Sequence, residues 1–309
     1  MPFLSICCTI STFLIGKALG EVLEIIVNPA AGNGRAKVIA QEASAYLTEK
    51  GIPFQLVYTE QPDHATELAR DAAARGVETV VAMGGDGTIT EVARGLAHTN
   101  TALGIVPSGT GNDFIKAIGI PKDWRRALDF ILTHPARPVN TGTMNDRFFM
   151  NACGAGFDVM VLDYSIEAKK HCSGIWPYFY GIIRAIKNYK PFRMRVEIGD
   201  DQVMEGDYML CSIANGKYIG GGIPIAKQAD VTDGLLDILV VDAVPRWKIP
   251  FYLPAIMLGL LPSRKPAHLY KADKCRLSSP GMRLNLDGEV LPIDDTSFTL
   301  ETDALKVHW

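Results

Sequence analysis

The first half of the chain alternates two hydrophobic periods. Val22 to Val27 is a short apolar run that reads as a buried strand, followed by a loop from Asn28 to Gly34 and a helix on which Ile39, Ala43, Tyr46 and Leu47 share one face. Gly51 is the expected helix stop. Phe54 to Tyr58 reads as a second strand, and Ala65, Leu68, Ala69, Ala72 and Ala73 form the stripe of a second helix ending near Gly76. Thr79 to Met83 is the third strand, Thr88 to Leu96 the third helix and Ala102 to Val106 the fourth strand. Strands separated by helices at this spacing predict an α/β fold with a parallel sheet covered on both faces. Ligands then belong at the carboxyl ends of the strands.

After Pro138 the pattern changes. Arg147 to Ala152, Arg193 to Ile198, Tyr208 to Ala214, Leu236 to Val241, Arg283 to Leu286 and Ser297 to Glu301 are short, often alternating segments joined by Gly and Asp turns. They predict a β-rich, antiparallel, sandwich-like second domain, with helices over Ile175 to Tyr189 and Trp247 to Leu261 covering one face. The expected organisation is an apolar extension at 1–21, an α/β domain at 22–138 and a β-rich domain at 139–309, whose carboxyl-terminal segment is free to return to the first domain.

Composition narrows the function classes. The 309 residues are 48% hydrophobic and 21% charged, and 31 Lys and Arg against 34 Asp and Glu leave a net charge of −3. That excludes a disordered chain and argues against nucleic-acid binding through bulk charge. Cys7, Cys8, Cys153, Cys172, Cys211 and Cys275 show neither C-x-x-C spacing nor clustering with His, so no disulfide framework or zinc site is expected and a cytoplasmic, reducing setting is the default. Phe3 to Ile15 is apolar, but its first cation, Lys17, follows instead of preceding it, and the run is short for a spanning helix. A dispensable leader, an interfacial attachment and a targeting sequence all remain open for it.

Three glycine-bearing loops fall at carboxyl ends of predicted strands: Asn28-Pro29-Ala30-Ala31-Gly32-Asn33-Gly34, Gly84-Gly85-Asp86-Gly87-Thr88 and Pro107-Ser108-Gly109-Thr110-Gly111-Asn112-Asp113-Phe114. Glycine lets backbone amides approach a polyphosphate, and the following helix offers unpaired N–H groups. One such loop is ordinary turn chemistry; three on one sheet edge point to phosphate. The common templates do not match: no G-x-x-x-x-G-K-[ST] occurs, the third glycine of a Rossmann fingerprint is Lys37, and the protein-kinase signatures are missing.

Together with Asp287-Gly288-Glu289 near the end, these loops resemble the diacylglycerol kinase catalytic-domain family, which includes bacterial soluble lipid kinases and is related to the sphingosine kinases. The resemblance runs from about Val22 onward. It implies ATP contacts at Asn28, Pro29, Ala30, Ala31, Gly32, Thr59, Gly84, Gly85, Asp86, Gly87, Thr88, Ile89, Thr90, Gly109 and Thr110, with Asp86 near magnesium-bound phosphates; the residue-level alternative for Asp86 is a turn. Asn112 and Asp113 either orient phosphate or metal, or cap the next helix. Asp287-Gly288-Glu289 read alone is a hairpin turn. The resemblance makes Glu289 the proton acceptor with Asp287 alongside, which suits phosphoryl transfer to an alcohol. It also implies a structural Mg²⁺ site using the Asp233 carboxylate and the backbone carbonyls of Asp230 and Leu235, against an Asp-Gly turn as the plain reading. Thr90 stands where the family often has Asn, and Ala31 where many members have Ser.

The expected activity is therefore an ATP- and Mg²⁺-dependent lipid kinase acting on a hydroxyl of diacylglycerol or a similar lipid, with ATP and acceptor meeting between the domains. An NAD kinase-like or other small-alcohol kinase is the alternative in the same class, and a catalytically silent lipid- or nucleotide-binding protein the alternative in another. The expected partner is a lipid substrate at a membrane surface, met by peripheral, transient docking, with a homodimer left open. Trp176 to Phe179 after Lys169 and Lys170, and Trp247 to Leu261 before Arg264 and Lys265, combine apolar and cationic residues suited to such a surface, or else are helices packed on the second domain's sheet.

Overall fold

The computed structural model describes residues 22–172, 176–260, 265–292 and 294–309. The apolar amino-terminal stretch with Cys7 and Cys8, the first residue of the helix expected from Ile175, and Leu261 with Arg264 lie outside them. The chain forms two compact units, one built from the chain up to Val139 together with Asp303–Trp309, the other from Asn140–Thr302.

In the first unit β1 (Leu23–Val27), β2 (Phe54–Tyr58), β3 (Thr79–Gly84) and β4 (Ala102–Pro107) alternate with α1 (Arg35–Glu49), α2 (His64–Ala74) and α3 (Asp86–Leu96), and α4 (Asp113–Ile118) and α5 (Trp124–Thr133) follow β4. The strands are parallel in the order β2-β1-β3-β4, and Lys306 and Val307 of β15 (Asp295–His308) add a further parallel pairing on Ala102 and Leu103. β1, β3 and β4 are buried along their whole length, which is why they read as continuous apolar runs. The exception, Glu24, is buried and paired with Arg75. Ala36, Ile39, Ala40, Ala43 and Leu47 form the inner face of α1, while Tyr46 reaches out to Asp129 at 2.5 Å.

The second unit is antiparallel. β6 (Arg147–Phe149) forms a hairpin with the end of β5 (Ala136–Met144). β7 (Ala152–Gly156), β8 (Phe192–Ile198), β9 (Gln202–Ala214), β12 (Lys274–Ser278), β13 (Arg283–Leu286), β14 (Glu289–Pro292) and the first part of β15 run in the order β14-β13-β7-β9-β8-β12-β15. β10 (Leu236–Asp242) pairs with both β9 and β11 (Ala267–Ala272). Phe149, Val196, Ile238, Leu277, Leu284 and Phe298 form one core, where the rings of Phe149 and Phe298 meet edge to face. A second core forms where α6 (Phe157–Ala168), α7 (Trp176–Asn188) and α8 (Ile249–Met257) supply Phe157, Val161, Ala185 and Ile249 against Leu239 and Val241.

Several elements differ from their sequence-based expectation. α3 starts two residues early, at Asp86, because Gly85 serves as its N-cap. The single strand expected from Arg147 to Ala152 is two, interrupted at Met150 and Asn151, whose amides turn to a carboxylate described below. Trp247 to Leu261 becomes one 3₁₀ turn followed by the shorter α8. The helix expected after Asn112 and Asp113 is α4, whereas α5 and α6 were not anticipated; on α6 the polar residues Asp158, Asp163 and Glu167 leave no clean apolar stripe. Cys153, Cys211 and Cys275 are buried free thiols and Cys172 is an exposed one. Among the described residues, no helix is long and apolar enough to cross a membrane.

The segment 303–309 is part of the first unit's core: Leu305 is 1% exposed, and His308 bridges Thr79 at 3.2 Å and the His134 carbonyl at 2.8 Å. Leu305→Ala is therefore expected to destabilise that unit by about 2–4 kcal/mol in urea titrations. Lys306→Ala, which removes only an exposed hydrogen bond to Asn100, should change it by less than about 0.5 kcal/mol.

Candidate active site

The three glycine loops of the first unit meet through backbone and small side chains. Asn28 Nδ2 donates to Thr88 Oγ1 at 3.0 Å while Asn28 Oδ1 accepts from the Ala30 amide, joining the first loop to the first turn of α3 and fixing its own bend. Gly32 has φ +61°, and a Cβ placed on it would lie 2.3 Å from the Ser108 carbonyl oxygen. Only glycine fits both demands. A Cβ on Gly109 would lie 2.7 Å from the Gly85 Cα, so the second and third loops touch backbone to backbone. The Thr59 amide donates to the Val27 carbonyl, which sets Thr59 beside Asn28.

Asp86 is the link between the second and third loops. Its Oδ2 accepts from the Asn112 amide at 2.7 Å and its Oδ1 from the Asp113 amide at 2.8 Å. Both oxygens thus help cap the start of α4 through the backbone amides of Asn112 and Asp113. Asn112 itself has φ +55°, donates through Nδ2 to the Gly109 carbonyl, and keeps Oδ1 buried without a hydrogen-bond partner. The Ser108 hydroxyl is likewise buried and unpartnered, and sequence analysis did not single it out. Asp113 faces Lys116 at 3.4 Å.

The remaining positions expected to contact ATP separate by burial. Pro29, Ala30, Ala31, Gly87, Thr90 and Thr110 are exposed or half-exposed on or beside the loops. Ile89 is 1% exposed and its amide already closes the first turn of α3 on Gly85, so its side chain belongs to the core. Bare backbone at Gly85 and Gly109, the orphaned Ser108 hydroxyl, and the unpaired first-turn amides of a helix form a donor set and a close-approach cradle that fit a polyphosphate.

In the second unit, Asp287, Gly288 and Glu289 form the tight turn between β13 and β14, with φ +47° at Asp287 and +100° at Gly288. Asp287 accepts from the amides of Met150 (2.9 Å), Asn151 (3.2 Å) and Ala152 (2.9 Å), and its own amide donates to the Ala152 carbonyl. Asn285 Oδ1 accepts from the Gly288 amide at 2.9 Å. Glu289 is exposed at the head of β14. Of the two carboxylates expected to share one chemical role, one is committed to backbone amides and the other faces solvent.

The acidic segment Asp230 to Leu235 is organised around a lysine. Asp230 accepts from the Thr232 hydroxyl and amide, and the hydroxyl bond is the main reason its carboxyl lies below its ordinary range. Asp233 Oδ1 accepts from the Leu235 amide, and its Oδ2 pairs with Lys271 Nζ at 2.6 Å. Lys271 stands opposite Asp237 in the β10–β11 register and also lies 3.4 Å from that buried carboxylate. The Asp230 carbonyl accepts from the Asp233 amide. Lys271 thus supplies a positive charge to the acids at the place where the resemblance implied a divalent cation. Sequence reading missed Lys271 because it is distant along the chain and only strand register brings it in.

Two folded units of these types, with glycine loops in the first and an acidic turn in the second, are those of a lipid kinase. Residues 23–144 match the diacylglycerol kinase catalytic domain, and residues 151–309 match the YegS C-terminal NAD kinase beta sandwich-like domain. The chain belongs to the diacylglycerol kinase catalytic-domain family. It is 32% identical over 294 residues to a YegS-like protein of Enterobacter sp. (strain 638) named as a "Probable lipid kinase", covering 93% of this chain and 95% of that one. It is 29% identical over 270 residues to the diacylglycerol kinase of Bacillus subtilis (strain 168), covering 86% and 88%. Among solved structures, one from Bacillus anthracis assigned as a diacylglycerol kinase superposes with a TM-score of 0.77 at 26% identity, over 94% of this chain and 97% of that one.

Asp86 carries the sharpest local test. Asp86→Asn keeps the shape but offers one acceptor for two amides and turns an N–H₂ group against the other. It should cost about 2 kcal/mol of first-unit stability, read from urea unfolding.

Proposed function

We propose that this lipid kinase transfers the γ-phosphoryl group of magnesium-bound ATP to a hydroxyl of diacylglycerol or a closely similar lipid, giving a phosphatidic acid-type product. The observation that carries the reading is the backbone-to-backbone approach of the Gly85 and Gly109 loops beside the orphaned Ser108 hydroxyl, in a chain whose family phosphorylates lipids. Bound Mg²⁺ neutralises phosphate charge during such a transfer. The protein's part is positioning. Loop amides and the α3 amino terminus hold phosphate oxygens, Asn28 and Asp86 keep the loops in register, and the Ser108 hydroxyl offers a further donor.

The D-G-E turn supplies the proton acceptor in this reading. Glu289 is the group able to accept the lipid hydroxyl proton, because its carboxylate is exposed, whereas Asp287 spends its oxygens on the amides of 150–152 and sets the turn. Docking at a lipid surface is supported by exposed apolar side chains on two helices of the second unit: Trp176, Phe179 and Ile183 on α7, and Phe251 (75% exposed) on α8 next to Trp247 (64%). Lys248 lies over the Trp247 ring and Arg184 over the Tyr180 ring, so cations accompany the aromatics as an anionic interface favours.

The purified protein is to be offered Mg·ATP with mixed-micelle lipids and, separately, with NAD. Transfer to a lipid is expected, with kcat lowered by about 100-fold or more in Glu289→Gln and the loss in Asp287→Asn accompanied by reduced stability. Transfer to NAD without transfer to any lipid would overturn the reading, and full activity in Glu289→Gln would remove Glu289 as base. For the surface, the double variant Trp247→Ser with Phe251→Ser should raise the apparent KM for vesicle-borne lipid by about 10-fold or more while leaving turnover of a monomeric short-chain substrate unchanged. Equal effects on both substrate forms would argue against docking.

A further inference from the structure

The second unit holds a buried carboxylate that the reaction above does not use. Asp158 lies in the first turn of α6, and both of its oxygens are shielded from solvent without a partner at hydrogen-bonding geometry. It sits against the backbone of β7: a Cβ on Gly154 would lie 1.9 Å from Asp158 Oδ2. Gly154 is the cross-strand partner of Asn285. Asn285 thus lies across the β7–β13 pairing from the glycine that the carboxylate packs against, and its Oδ1 receives the Gly288 amide at 2.9 Å. A continuous line therefore runs from Asp158 through Asn285 to the glycine of the D-G-E turn, all inside one unit.

We propose that Asp158 is a positioning residue for the Asp287-Gly288-Glu289 turn, acting through the Asn285 side chain: the ionised carboxylate draws the Asn285 amide group inward, which aims Asn285 Oδ1 at the Gly288 N–H and fixes where Glu289 is presented. The inference rests on the reading of that turn as catalytic, but the order it imposes on the turn is measurable without activity. An apolar or amide side chain would satisfy the packing beside Gly154 more cheaply than a carboxyl group that burial penalises. Keeping an acid there makes sense if its charge organises a neighbour.

Burial raises the Asp158 carboxyl from 3.8 to about 7, opposed in part by the Val159 amide and the Asn285 side chain. The other titratable groups facing it are the thiols of Cys153 on β7 and Cys211 on β9, both pushed up chiefly by burial and neutral at physiological pH. Asp287 and Cys275 also act on Cys153, and Arg283 pairs with Asp163 further along α6. Because the folded-state value lies above the free one, the native state holds the extra proton between about pH 4 and 7, so Asp158 subtracts stability as pH rises through that window. The ionised form that orders the turn is thus the form the fold disfavours.

Two readouts test this. Hydrogen exchange of the backbone at 285–289 should be faster in Asp158→Asn and in Asn285→Ala than in the parent at pH 8, with no further increase in the double variant. In the lipid assay, Asp158→Asn should lower kcat by about 10-fold with KM little changed, and should lose the limb of the kcat profile that rises through neutral pH. The same variant should unfold at a higher temperature than the parent at pH 8, the reverse of what removal of a merely structural contact produces. Unchanged exchange at 285–289 in a folded Asp158→Asn protein overturns the proposal, as does a neutral limb that persists in it. Failure of the parent to phosphorylate any lipid would overturn the catalytic reading of the turn instead, and the exchange measurement would still decide the role of Asp158.

Discussion

A carboxylate that accepts consecutive backbone amides is the interaction on which both halves of this chemistry rest. Asp86 does it in the first unit, holding the amides of Asn112 and Asp113, and Asp287 does it in the second, holding those of Met150, Asn151 and Ala152. Each bond is charge-assisted, and each ends a regular element where the ladder would otherwise leave N–H groups unpaired. A side chain thereby fixes main chain. The loops can then be nearly bare of side chains, as at Gly85 and Gly109, without losing their shape.

The same economy separates two acids that look alike. Asp287 and Glu289 are one residue apart, yet the first faces inward to the break between β6 and β7 and the second outward from β14. The left-handed backbone at Asp287 and Gly288 makes that divergence, turning neighbouring carboxylates to different environments. Around Asp233 a comparable group of acids is balanced by Lys271. The contrast is one of supply: a cation that arrives by strand register makes the acids around Asp233 a structural joint, whereas Glu289 keeps an exposed carboxylate.

Much of the first unit was legible because its strands are buried on both faces and its helices carry a clear stripe, so hydrophobic period and secondary structure agree. The glycine loops were legible because glycine has few other reasons to recur at three strand ends. The second unit resisted at α6, where Asp158, Asp163 and Glu167 interrupt the apolar face, and at residues 147–152, where a carboxylate about 140 positions away takes amides that a strand would have used. Lys271 and Asp158 carried no local signal at all. Their significance lies in a cross-strand pairing and in a glycine's missing Cβ, neither of which sequence spacing encodes.

The parallel sheet of the first unit has one member drawn from far along the chain. Lys306 and Val307 pair with Ala102 and Leu103, and Leu305 and Val307 are buried in that unit's core. During synthesis, strands β1 to β4 emerge early and must wait, with one edge of β4 unpaired, while residues 140–302 are made. The first unit therefore cannot close in the order in which it is translated, and its open edge is a site where a holding chaperone would find an apolar strand to protect.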